Sequence, residues 1–320
     1  MSVSSPSGTS RESRFLDLPA LAALAHMRFT TRYRIEGVYS GRHQSRRQGS
    51  AGEFVDYREY SEGEDLRRLD WKVLGRSGRA YVRLYQDETN LVALLALDTS
   101  GSMAFRGYGF ARDHTRQSTA PGRAAESKIE YAQYLATAFA HVIARGQDQV
   151  GLALVGQSLD ELIPPGGTTS HLARLYAAIE NLQTKPTTKM AAGLRQLFER
   201  ANRCGVLVVV SDFLQDDMDE VFAVLRMFRH RRWEVVVLHL VHPDEERLPD
   251  GTAYRFCGLE DDGEIAASPG EVRSAYEQRF AAHRGAVRTL ALAGDCDYHL
   301  VSTDIDYLQT VRRFLVARTG

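Results

Sequence analysis

The stretch "ALLALDTSGSMAF", Ala93–Phe105, decides how the rest of the chain is read. An apolar run halts at Asp98, and Thr99, Ser100, Gly101 and Ser102 follow at once. Extended back to Leu91, the run is apolar at every position, as a strand buried on both faces of a parallel sheet must be. A second run of the same kind, "GVLVVVSD" (205–212), ends on Asp212. Parallel strands bring their carboxyl ends to one edge, and open sheets of this class bind ligands there. Asp98 and Asp212 are therefore expected to converge on one crevice. The plainer alternative is that each aspartate caps or turns the chain at the end of its strand.

Strands alternate with helices around these two runs. "SKIEYAQYLATAFAHVIARG" (127–146) places Ile129, Ala132, Ala136, Phe139 and Ile143 on one helical stripe, with Gly146 as its stop. "QVGLALVGQ" and "LDELIPP" read as a strand pair, and helices are expected near 170–182, 189–202, 216–231 and 306–317. "EVVVLHLV" and "DYHLVS" read as further strands. "SPGEVRSAYEQRF" opens a helix with Ser268 as N-cap, Pro269 in the first turn and Glu271 as capping-box partner. The implied fold class is α/β: a doubly wound, mostly parallel sheet with helices on both faces.

The region before residue 89 has a different texture. Residues 1–27 read as a Ser-rich disordered tail followed by a short helix, with Asp17 as N-cap and Pro19 in the first turn. Residues 28–88 alternate polar with aromatic or β-branched positions and read as a small β-rich segment, with "SEGED" and "GRSGR" as turns. Residues 89–320 then form the α/β domain.

Composition narrows the function classes. A formal net charge of −1 gives no electrostatic reason to expect nucleic acid as a partner. The apolar runs fall far short of the roughly 20 residues that a membrane helix needs. Cys204, Cys257 and Cys296 are odd in number and widely spaced, which suits a reducing compartment and argues against a zinc site. A cytoplasmic protein is expected. No phosphate-binding loop, nucleophile elbow or strand-end histidine beside a serine is present in the sequence, so nothing supplies a general base, and a non-enzymatic role is expected.

Asp98, Ser100, Ser102 and Asp212 offer carboxylate and hydroxyl oxygens without His or Cys. That donor set suits a hard divalent cation: Mg2+, with Mn2+ or Ca2+ as alternatives. Two carboxylates and neutral hydroxyls leave such an ion with charge to satisfy, and an acidic group from outside is a natural further ligand. "LDTSGSM" followed by "VVVSD" resembles the metal-ion-dependent adhesion site of von Willebrand factor A domains. The upstream "GEFVDYREYSEGEDLRRLDWKVLGRSGRAYVRLYQDE" (52–88) resembles the signature of the bacterial domain-of-unknown-function 58 family. The resemblance implies a von Willebrand factor A-like fold and a fifth metal ligand from "PTTKMAAGL", with Thr188 as the best match and Thr187 as the alternate. Lys189 stands where the family places an acid, and a cation so close would weaken metal binding. The resemblance also implies a MoxR-type AAA+ ATPase as protein partner, in chaperone-like assembly or maturation of a client. A metal-independent adaptor and a metal-dependent hydrolase are the alternatives.

Overall fold

The computed structural model describes residues 14–31, 53–61, 69–86, 91–108, 127–186, 189–201, 204–251, 254–260 and 263–319. The chain divides into two compact units, residues 36–90 and the remainder of the chain.

Helix α1 (Leu18–Leu21) opens the larger unit, with the Asp17 side chain accepting from the Ala20 amide as expected. This segment packs inward: Leu21, Leu24 and Phe29 are buried in the main core, Phe29 lying edge-on to Phe139. Arg318, near the other end of the chain, donates to the Thr30 carbonyl at 2.8 Å. Residues 14–31 thus pack with the α/β unit, although their sequence lies before the expected boundary at residue 89.

In the smaller unit, β1 (Glu53–Glu59) and β2 (Tyr81–Gln86) pair antiparallel. Between them lies a helix that the alternating pattern did not announce, α2 (Trp71–Ser77). Asp70 caps it by accepting from the Lys72 and Val73 amides, and Gly78 ends it in the left-handed region at φ 67°. "GRSGR" is therefore a helix end, not a strand-to-strand turn. The "SEGED" turn lies largely outside the described residues.

The larger unit continues with β3 (Val92–Asp98), α3 (Lys128–Arg145), β4 (Gln149–Val155), β5 (Leu159–Gly166), α4 (Thr169–Glu180) and α5 (Met190–Arg200). Then come β6 (Val206–Ser211), α6 (Met218–His230), β7 (Glu234–Val241), the short α7 (Pro243–Glu246) and a hairpin of β8 (Tyr254–Cys257) and β9 (Glu264–Ala267). Helix α8 (Pro269–Ala293), β10 (Asp297–Ser302) and α9 (Tyr307–Thr319) complete it. The sheet order is β10-β7-β6-β3-β4-β5, parallel except for the β4–β5 edge pair. The doubly wound, mostly parallel fold class is as the sequence indicated.

Strand β3 sits between β6 and β4, so both its faces are covered. Ala93, Leu95 and Leu97 meet α3, α4, α9 and the N-terminal residues, while Leu94 and Ala96 meet the layer of α5, α6 and α8. Its all-apolar sequence follows from that double burial. The N-terminus of α8 departs from expectation. The Ser268 hydroxyl makes no capping bond, and the Glu271 amide bonds the Ser268 carbonyl instead. Among the described residues no helix is long and apolar enough to cross a membrane.

Helix α5 packs closely against the end of β4. A Cβ on Gly193 would stand 2.7 Å from Val155 Cγ1 and 2.8 Å from the Ser158 carbonyl oxygen. In a free helix alanine is better than glycine by about 1 kcal/mol. Here the clash reverses the sign, and Gly193→Ala is expected to lower stability by about 1–3 kcal/mol. A urea unfolding midpoint measures this, and a raised midpoint contradicts it.

Candidate functional site

The carboxyl ends of β3, β6 and β7 lie on one edge of the sheet. From β3 the chain crosses to β4 on one side and later to β6 on the other, so the crevice between the ends of β3 and β6 is the topological switch point. Asp98 closes β3, Asp212 follows β6, and both are buried. The structure therefore brings together four of the five expected ligand residues. Thr188, like Thr187, lies outside the described residues. Thr168, further upstream, caps α4 by accepting from the His171 amide.

Local hydrogen bonds shape the first loop. Asp98 Oδ1 accepts from the Ser100 amide at 2.9 Å, which curls the chain so that the Ser100 and Ser102 hydroxyls stand 3.0 Å apart. The Thr99 amide donates to the Val155 carbonyl, and the Lys185 amide donates to the Thr99 carbonyl, pinning the loop from both sides. After β6, the Ser211 hydroxyl donates to Asp98 Oδ2 at 2.5 Å and accepts from the Phe213 amide at 2.8 Å. Phe213 is held at φ 53°, an uncommon conformation for a bulky residue, by that bond and by stacking on Phe222. Asp212 Oδ1 accepts from the Leu214 amide at 3.1 Å.

The cation at this site is one that sequence reasoning missed. Lys128, the first residue of α3, is fully buried, and its ammonium donates to Asp212 Oδ2 at 2.5 Å and to Glu245 Oε1. Glu245, on α7 beyond β7, uses its other oxygen to accept from the His242 amide. Lys189, the residue that raised concern in sequence, is exposed at the start of α5. The only signal for Lys128 was a lysine opening an otherwise apolar helical stripe, a position that a solvated lysine fills equally well.

Burial and charge act on each group differently. Burial, and then the charge of Asp212, push Asp98 up to about 7, against the hydrogen bonds from Ser211 and Ser100. Burial also pushes Asp212 up, but Lys128 and the bonds from Leu214 and Ser102 outweigh it and hold that carboxyl below its usual range. Lys128 loses by desolvation and regains more from Asp212 and Glu245, so its ammonium is held above the ordinary lysine value. Burial raises Glu245 despite Lys128. His239 and His283 lie behind Asp212, and burial lowers both, His239 to about 3.

This arrangement fits a hard divalent cation. Asp212 and Glu245 meet one ammonium, and Asp98 lies beside Asp212, which leaves two negative charges when all three carboxylates are ionised. Among the described residues no three His, Cys, Asp or Glu side chains form a ligand set by themselves, so the serine hydroxyls carry the donor count. Gln215 adds a further oxygen: its Nε2 donates to Asp98 Oδ2 at 3.4 Å, while its buried Oε1 has no hydrogen-bond partner among the described residues. An orphaned buried acceptor beside a carboxylate is costly unless a cation or donor meets it.

Fold and site together define an α/β unit with an oxygen-lined, partly neutralised crevice at the switch point of a parallel sheet. The chain belongs to the family described as "Protein of unknown function DUF58", which its residues 56–286 match. It is 26% identical over 314 residues to an uncharacterized protein of Mycobacterium tuberculosis, covering 95% of this chain and 91% of that one. An uncharacterized protein of Mycobacterium bovis matches with the same figures. Similar solved structures include BatB from Bacteroides thetaiotaomicron, at 13% identity and a TM-score of 0.45, covering 72% of this chain and 99% of that one. The SpRpn10 VWA domain is another, at 10% identity and a TM-score of 0.38, covering 71% and 95%.

Removing one partner of a buried ion pair leaves the others as uncompensated charges, at a cost of about 3–5 kcal/mol. Lys128→Met strands both Asp212 and Glu245, and the variant is expected to lose stability on that scale in urea unfolding with chelator present. A loss below about 1 kcal/mol, the range of an exposed pair, contradicts the clamp.

Proposed function

We propose that this protein is a non-enzymatic interaction module. In this reading a divalent cation, Mg2+ first among candidates, sits on Asp98, Ser100, Ser102 and Asp212, with Thr188 as a further ligand, and an acidic residue of a protein partner completes the coordination. The observation that carries it is the convergence of Asp98, Ser100, Ser102 and Asp212, beside a Gln215 Oε1 that has no partner among the described residues, in a buried crevice that keeps negative charge in excess of Lys128. When bound, the ion supplies a Lewis-acidic anchor for a carboxylate. The chain's own residues bury it, orient the hydroxyls and neutralise Asp212 from behind.

Holding is favoured over catalysis. The Ser211 hydroxyl, which donates to Asp98 in the crevice, is fully buried and also engaged by the Phe213 amide, so it is poorly placed to act as a nucleophile. His239 and His283 lie behind the crevice and are kept neutral by burial. The partner class follows from the family resemblance: a MoxR-type AAA+ ATPase, with the pair acting in chaperone-like assembly of a client. Three free cysteines suit the cytoplasm as its location. Lys128 favours a specific second reading, a metal-independent adaptor whose ammonium already does the work of an ion.

The test is surface plasmon resonance between this protein and the MoxR-type ATPase of the same organism. Breaking a buried charged contact costs roughly 2–5 kcal/mol, or at least about 30-fold in affinity. Binding in Mg2+ is expected to weaken by that factor in chelator and, equally, in Asp98→Ala. Equal binding in chelator supports the adaptor and contradicts the metal bridge.

A further inference from the structure

The hairpin β8–β9 lies against the first loop of the crevice. An added Cβ on Gly101 would stand 2.3 Å from the Leu259 carbonyl oxygen and 3.1 Å from Glu260 Cγ, so only glycine admits this approach. The Ser102 amide donates to Glu260 Oε1 at 3.3 Å. On the hairpin's first strand, Phe256 meets the Tyr108 ring edge-on, with centroids 6.1 Å apart. A carboxylate of this same chain is thus held at the residue whose hydroxyl is offered to the ion.

We propose that Glu260 is the chain's own acidic ligand for the ion site. It occupies in cis the place that an acidic residue of a partner takes in trans. This rests on the reading of the Asp98–Ser102 loop as an ion site and adds its regulation to it. The physical case is the charge left over. Asp98, Ser100, Ser102 and Asp212 give a cation two carboxylates and two neutral hydroxyls, and Lys128 already draws on Asp212. The carboxylate poised to add negative charge from the solvent side is that of Glu260, half-buried at the loop and carried on a two-stranded hairpin that is easily lifted. A cation beside the two hydroxyls gives Glu260 a stronger partner than the Ser102 amide. The closed hairpin then shields the ion, and a partner's acid must displace Glu260 to reach it.

Mn2+ alone serves as the probe, with the full chain as wild type, Glu260→Gln and Asp98→Ala. Isothermal titration reads affinity, and hydrogen–deuterium exchange with mass spectrometry reads residues 254–260 with and without Mn2+. Wild type is expected to bind one Mn2+ at least about 10-fold more tightly than Glu260→Gln, since loss of even an outer-shell partner of a metal costs that much. Mn2+ is expected to slow exchange at 254–260 in wild type and to leave it unchanged in Glu260→Gln. If wild type and Glu260→Gln bind equally while Asp98→Ala does not bind, the self-ligand is overturned and the ion site stands. An affinity loss without the difference in exchange overturns it as well. If wild type binds no better than Asp98→Ala, the ion site and the self-ligand fall together.

Discussion

One buried ammonium ties the functional edge of this protein together. Lys128 opens α3, Asp212 follows β6 and Glu245 sits beyond β7, so a single side chain joins three elements that approach from different directions. Together with the Ser127 cap, the ion pair anchors the first turn of α3, the helix that covers β3 on one face. Burying these charges is expensive, and packed apolar residues of similar size are often no less stable. What the charges add is position: Asp212 is kept ionised and aimed in a crevice where burial alone drives a carboxylate toward its neutral form.

Asp98 shows what happens without such a partner. It lies in the same crevice with hydrogen bonds from Ser100, Ser211 and Gln215, none of them charged, and its carboxyl rises to about 7. The two aspartates therefore differ in kind. One is held ionised by the buried ammonium of Lys128, and the other is pushed toward its neutral form.

Much of this was legible in the sequence because the governing constraints are local. A strand buried on both faces has to be apolar throughout, so "LVALLALD" and "GVLVVVSD" announced the sheet, and their terminal aspartates announced the shared edge. The illegible parts depend on long-range juxtaposition. Lys128 and Asp212 are 84 residues apart, and Ser102 and Glu260 are 158 apart; no periodicity records either pairing. Helix α2 was hidden because "DWKVLGRSG" is short and set among β-patterned residues, although Asp70 and Gly78 are ordinary caps. That the short helix near Asp17 would bury Leu21, Leu24 and Phe29 in the main core was not legible, because their partners on α3 and α9 are far away in sequence.

The central claim is that the crevice between the ends of β3 and β6 holds a cation, and anomalous diffraction tests it most directly. Crystals grown with Mn2+ and measured at the manganese edge are expected to show one strong peak between Ser100 Oγ and Ser102 Oγ. It should lie about 2.0–2.3 Å from each, with Asp98 and Asp212 around it. No peak at that position in crystals with a saturating concentration of the ion would contradict the account.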